Sequence, residues 1–331
     1  PDPLYGGWRG GPAYYLHTLA ERKRGRKLRR SVAAGLFAVS GLICWCGISQ
    51  VVSNSVSEAF QNAFSIPPLV TTLVLTALAA VIVLRKEATV KSLDVIVPIM
   101  AGCYFVMTLW IILTHLPQLP DVFVRIFSEA LGLRQAVGGG FGAVVMNGIK
   151  RGLFSNEAGS GSAPCAAAAA ECDDPVKMGL VQALGVLIDT IVICTLTSLA
   201  VILSGVLDVG LDSYATNGAA AVAAFNAILP GTIGGTIIQI SLLFFALSTI
   251  LGWSYYGERC WAYLSNNNKA VVWVFKVVFV LVCIVGATGN GTLMWDISDT
   301  LNGMMAIPNL IGLLLLSNVI IRSTNDYFKK H

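Results

Sequence analysis

Long apolar runs alternate with short polar joints along this chain. A helix needs about 20 mostly apolar residues to cross about 30 Å of hydrocarbon. Runs that meet or approach this length lie at approximately 31–54, 67–84, 94–115, 134–150, 177–204, 234–257, 270–288 and 301–321. The pattern predicts an all-α integral membrane protein. Residues 1–30 read as a cytosolic loop leading into the first visible span. Residues 31–331 read as a single transmembrane domain with about eight spans. Two joints carry helical patterning of their own. Residues 120–132 have apolar positions at helical spacing and suit a helix lying along the surface. Residues 218–231 are too short to span and read as a re-entrant or capping helix, with a plain spacer as the alternative for both.

Composition agrees with the pattern. Of 331 residues, 55% are hydrophobic and 12% charged, and mean hydropathy is +0.73. Soluble domains carry about 25% charged residues. Net charge is +4, and its placement is what informs. Basic residues crowd "ERKRGRKLRR" before the first span and recur in "RKEATVK", at Lys150 and Arg151, at Lys177, at Arg259 and Lys269, and at Arg322, Lys329 and Lys330. The alternate joints are poorer in them. By the positive-inside rule both visible termini are cytosolic, in a cell (plasma) inner membrane.

Candidate chemistry is sparse. The eight cysteines lack metal or redox spacing and read as small buried hydrophobes. The three histidines, His17, His115 and His331, are scattered. No convergent acid, base and nucleophile set argues for an enzyme, and no metal cluster, organic cofactor, nucleic acid or obligatory protein partner is expected. The spans themselves are irregular, however. Span four is short and carries "GGGFG" at 138–142. Glycine weakens a helix by about 1 kcal/mol per residue relative to Ala. Unwound backbone at membrane depth survives where it lines a cavity or is buried in protein. A short glycine-broken span is a pointer to a transporter site, close helix packing being the other account. Span six places Ser248 and Thr249 mid-membrane, with Trp253 one turn on from Thr249 on the same face. Hydroxyl and carbonyl oxygens suit an alkali cation, whereas back-bonding to the helix explains most membrane Ser and Thr. Asp189 is mid-span, costs about 2.5–3.5 kcal/mol on insertion scales, and should face the interior with a partner. It suits cation attraction, coupling or a structural network equally. Lys276 reads as an amphipathic or snorkelling lysine. Asp296 and Asp299 sit near the outer start of span eight, and Pro308 should kink it.

Taken together, "GIKRGLFSNEAGSGSAPCAAAAAECDDPVKMGLVQALGVLIDTIVICT" (148–195), "STILGWSYYGE" (248–258), "LNGMMAIPNLIGLLLLS" (301–317) and "GGPAYYL" (10–16) closely resemble, in order, blocks of the alanine or glycine:cation symporters. The resemblance implies a leucine-transporter type fold, a five-plus-five inverted-repeat bundle, with core helices three to ten present here. It implies sodium-coupled symport of a small neutral amino acid, alanine or glycine, by alternating access. Proton coupling is the alternative, as is a non-transporting remnant. Family members carry a "GTGN"-like helix ahead of "GGPAYYL", so the chain is expected to be an N-terminally truncated member or a fragment.

By the same resemblance, Thr249 and Trp253 meet substrate, and Ser248 and Thr249 lie at sodium. Gly138, Gly139, Gly140 and Phe141 form the break of core helix six, and Trp45 and Ile48 contribute pocket wall. "CWCGISQ" around Trp45 departs from the family's "FGIGN"-like run. Asp189, Asn156 and Glu157 are coupling or gating candidates, the last two placed at an inner gate beside a cytosolic Arg151. Whether the glycines of 159–161 make that stretch flexible or close-packed is left open by the sequence.

Overall fold

In the computed structural model the described residues are 2–4, 6–84, 88–131, 141–157, 159–209, 217–229, 233–286 and 291–330. Among them the secondary structure is helical throughout. The helices are α1 (Pro12–Arg24), α2 (Val32–Phe64), α3 (Pro68–Val83), α4 (Ala88–Thr114), α5 (Leu119–Leu131), α6 (Phe141–Asn156), α7 (Ala163–Ala167), α8 (Pro175–Leu203), α9 (Val206–Val209), α10 (Asn217–Ile228), α11 (Ile233–Leu264), α12 (Lys269–Val285) and α13 (Gly291–Lys330). Five are long and apolar enough to cross a membrane: α2, α4, α8, α11 and α13. α3 is a shorter apolar helix.

Local chemistry sets several boundaries. Ser31 caps α2 by accepting from the Ala34 N–H. Asp174 does the same for α8 through Val176 N–H, with Pro175 at the first helical position. The Asn268 side chain accepts from the Ala270 and Val271 N–H groups and starts α12. Such caps satisfy donors that the first helical turn leaves without partners.

α2 is the axis of the molecule and packs against α13, α11, α1, α3, α12 and α10. Its Phe37, Ala38, Trp45 and Ile48 are buried in one cluster with Leu75 of α3, Ile250 and Leu251 of α11, Phe279 of α12 and Met305 of α13. α8, by contrast, is largely exposed, with Leu180, Val181, Leu184, Leu187, Ile188 and Ile191 facing outward. An apolar outer face of this kind suits lipid rather than water.

Several expectations change. Residues 1–30 are more than a loop. α1 packs on α2, α11 and α13, and Asp2 is buried in an ion pair with Arg259. A polar helix like α1 gives little hydropathy signal. Lys276 does not snorkel. Its Nζ lies 3.0 Å from Glu258 Oε2, and both side chains are less than a tenth exposed. Spans six and eight are parts of longer helices. α13 has 40 residues, about 60 Å at 1.5 Å per residue, so its ends extend beyond hydrocarbon. Pro308 lies inside it. Span four does not end at Lys150. α6 runs on through Arg151 to Asn156, and Arg151 donates to Asp299 Oδ2 at 2.6 Å. A residue assigned to the inner face and one assigned to the outer start of span eight thus lie side by side, so those two assignments do not hold together.

Candidate functional site

A cavity of about 610 Å³ opens where α6, α8 and α11 converge. α11 contributes Ser248, Thr249, Gly252, Trp253 and Tyr256. Positions 249, 252, 253 and 256 recur at helical spacing, so one stripe of α11 faces the space. The Ser248 hydroxyl donates to Phe245 O at 2.9 Å, the helix back-bond, which leaves its oxygen lone pairs as acceptors. α8 contributes Gln182 and Asp189. Asp189 lies in a π-helical turn, Ile188–Ile193. Such turns insert one residue and re-aim side chains, often at functional positions.

The end of α6 brings the rest. Ser155 Oγ donates to Asp189 Oδ2 at 2.8 Å. Asn156 Nδ2 donates to Gly152 O at 3.1 Å and to Thr190 Oγ1 at 3.2 Å. Glu157 then leaves the helix in the left-handed region, with φ 49°, a conformation that costs a non-glycine residue about 1–2 kcal/mol. Two bonds from Ser160, N–H at 3.0 Å and Oγ at 2.7 Å, to Glu157 O hold it there. The turn delivers the Glu157 carboxyl to the cavity, where Ser162 Oγ donates to Oε2 and Trp253 Nε1 donates to Oε1 at 3.1 Å.

The turn that follows is tightly clamped. Gly159 and Gly161 have φ of 86° and 100°. A Cβ at Gly161 would lie 2.5 Å from Pro12 and 2.8 Å from Phe37, and one at Gly159 would lie 2.9 Å from Leu310. Asn309 Nδ2 also donates to Gly159 O at 2.8 Å. The glycines are there for left-handed backbone and close approach. α7 resumes the helix at Ala163, so the interruption beside the cavity falls between Asn156 and Ala163.

Of the residues expected at the site, Ser248, Thr249, Trp253, Asp189, Asn156 and Glu157 meet around this one cavity. Gly138, Gly139 and Gly140 lie outside the described residues. Phe141 opens α6, fifteen residues before Asn156, about 22 Å along the axis, so the end of α6 that reaches the cavity is the other one. Trp45 and Ile48 do not form the wall. Both are buried in α2, and Trp45 backs onto Tyr256, ring centroids 5.7 Å apart. Asn156 and Glu157, the two gating candidates placed at an inner gate, differ in their partners. Asn156 bonds backbone, but Glu157 holds a serine and an indole in the cavity. Sequence reasoning missed Ser155 and Tyr256. Tyr256 lies three residues after Trp253 and was readable as the next position on the same face.

The sodium:alanine symporter family model matches residues 4–331. The sodium/alanine symporter AgcS of Methanococcus maripaludis is 42% identical over 321 residues, 96% of this chain and 69% of the relative. The probable sodium/glutamine symporter GlnT of Bacillus subtilis is 37% identical, over 98% of this chain and 66% of its own. A sodium/proton-dependent alanine carrier protein of Bacillus sp. (strain PS3) is 34% identical, over 94% and 72%. The chain therefore belongs to the sodium:alanine symporter family, whose members are multi-pass membrane proteins that act as cation-coupled amino-acid transporters and not as enzymes.

Proposed function

We propose that this protein is a secondary active transporter that couples sodium entry to uptake of a small neutral amino acid, alanine or glycine, by alternating access. The carrying observation is the cavity: the hydroxyls of Ser248 and Thr249 and the indole of Trp253 face the carboxyl groups of Asp189 and Glu157, and among the described residues no basic side chain lines it. Hard oxygen donors and negative charge attract an alkali cation and an ammonium group. Thr249 and Trp253 are assigned to substrate, Ser248 and Thr249 to sodium, and Asp189 to cation attraction. The name of one relative supports alanine and sodium, and that of another supports sodium. The break between α6 and α7 supports a discontinuous core helix six in a five-plus-five bundle of the leucine-transporter type, formed by a single domain over 31–331 in a cell inner membrane with both visible termini cytosolic.

Sodium-dependent uptake of labelled alanine into proteoliposomes is the test. Uptake that collapses when choline replaces sodium supports the reading, and unchanged uptake rejects sodium coupling. Two relatives are named as sodium/proton-dependent carriers, which favours proton coupling as the second reading. It predicts uptake driven by an imposed pH gradient in choline.

A further inference from the structure

We infer that Glu157 is a positioning residue for Trp253, fixing the indole that limits the size of the transported side chain. The inference rests on the transport reading above for its consequence, though not for its geometry. Trp253 is 7% exposed, and a buried indole has one donor that must find an acceptor. That donor goes to Glu157 Oε1, 96 residues away in sequence. The second carboxyl oxygen is taken by Ser162, so neither end of the carboxyl is idle and its rotamer is set.

The backbone beneath it is held as firmly. Glu157 is left-handed and its carbonyl accepts two hydrogen bonds from Ser160. The next residues are pressed against Pro12 of α1, Phe37 of α2 and Leu310 of α13. Three helices thus fix a turn, the turn fixes a carboxyl, and the carboxyl fixes an indole that lines the cavity. On the other side Trp253 belongs to α11, so the bond also ties the helix interruption to the helix bearing Ser248 and Thr249. What this role requires of residue 157 is an acceptor in the right place. A carboxamide oxygen supplies the same acceptor, whereas an alkyl group does not.

Two measurements on the reconstituted protein test this. The first needs no substrate: the indole N–H resonance of Trp253, assigned among the seven tryptophans by its loss in Trp253→Phe. It shifts in Glu157→Ala and stays at the wild-type position in Glu157→Gln. The second is the ratio of alanine to glutamine uptake. It falls about tenfold in Glu157→Ala, the worth of one hydrogen bond. It returns to the wild-type value in Glu157→Gln, and Glu157→Ala adds nothing in a Trp253→Phe background. Glu157→Met keeps the volume and removes the acceptors, and replaces Glu157→Ala if that variant does not fold. An unmoved resonance, a Gln variant as unselective as the Ala variant, or additive losses in the double variant overturns the inference. Should wild-type protein carry no alanine, the transport reading falls while the resonance still decides the positioning role.

Discussion

Removing the amine of Lys276 should destabilise the fold sharply. Lys276 Nζ and Glu258 Oε2 are 3.0 Å apart, with side chains 8% and 7% exposed. At that separation Coulomb attraction is about 5.5 kcal/mol for an effective dielectric of about 20. Most of this is offset by desolvation of both groups, so the pair's net worth is small. The single variant Lys276→Met is different. It leaves a carboxylate buried, and Glu258 Oε1 already lacks a hydrogen-bond partner among the described residues. Breaking a buried pair from one side costs about 3–5 kcal/mol, or about a hundredfold to several thousandfold in the folded-to-unfolded ratio. The double variant Glu258→Leu/Lys276→Met should recover most of that loss, because no charge is left without its counterpart. Unfolding in mixed micelles gives the free energies directly. Where unfolding is irreversible, half-lives at one temperature give the order of the three proteins. A Lys276→Met protein as stable as wild type, or a double variant worse than the single, would refute a buried, mutually dependent pair.

Gly161→Ala should be strongly destabilising, since its Cβ would overlap Pro12 and Phe37 at a φ of 100°. Gly152→Ala, with open space around its Cβ on α6, should be neutral or stabilising by up to about 1 kcal/mol, and equal effects in the two would contradict the clamped turn. Cys165, at the start of α7 beyond that turn, is buried. Labelling needs the reagent to reach the sulfur, so maleimide labelling at Cys165 should stay negligible in native protein. Exposed Cys172 should label readily, and rapid labelling of Cys165 in native protein, read by peptide mass spectrometry, would show that the turn opens.

The membrane helices were legible because burial in lipid demands long apolar runs, and α2, α4, α8 and α11 supply them. Asp189 was legible for the converse reason: a carboxylate in such a run needs a partner, and it has Ser155. α1 was not, since "PAYYLHTLAERKR" is polar and owes its place to contacts with three helices. The Lys276–Glu258 pair joins two helices, and no spacing rule along one helix reveals such a partner. Glu157 was legible as polar but not as a cavity group. Its direction depends on one left-handed residue and two serine bonds, which emerge only when the "NEAGSGS" turn is seen closing on α1, α2 and α13. Trp45 was misplaced because a large aromatic suits a pocket wall and a packed core equally. Tyr256 stands between it and the space.

The central claim is that the hydroxyl stripe of α11 binds the coupling cation in the cavity. Labelled-alanine uptake under an inward sodium gradient, in wild type and Thr249→Val, tests it most directly. Valine keeps the shape and removes one oxygen, worth about 1–1.5 kcal/mol. Uptake is expected to depend on sodium in wild type, with a half-saturating sodium concentration raised about tenfold in the variant. Wild-type uptake as fast in choline as in sodium, or a folded Thr249→Val protein with unchanged sodium dependence, would contradict it.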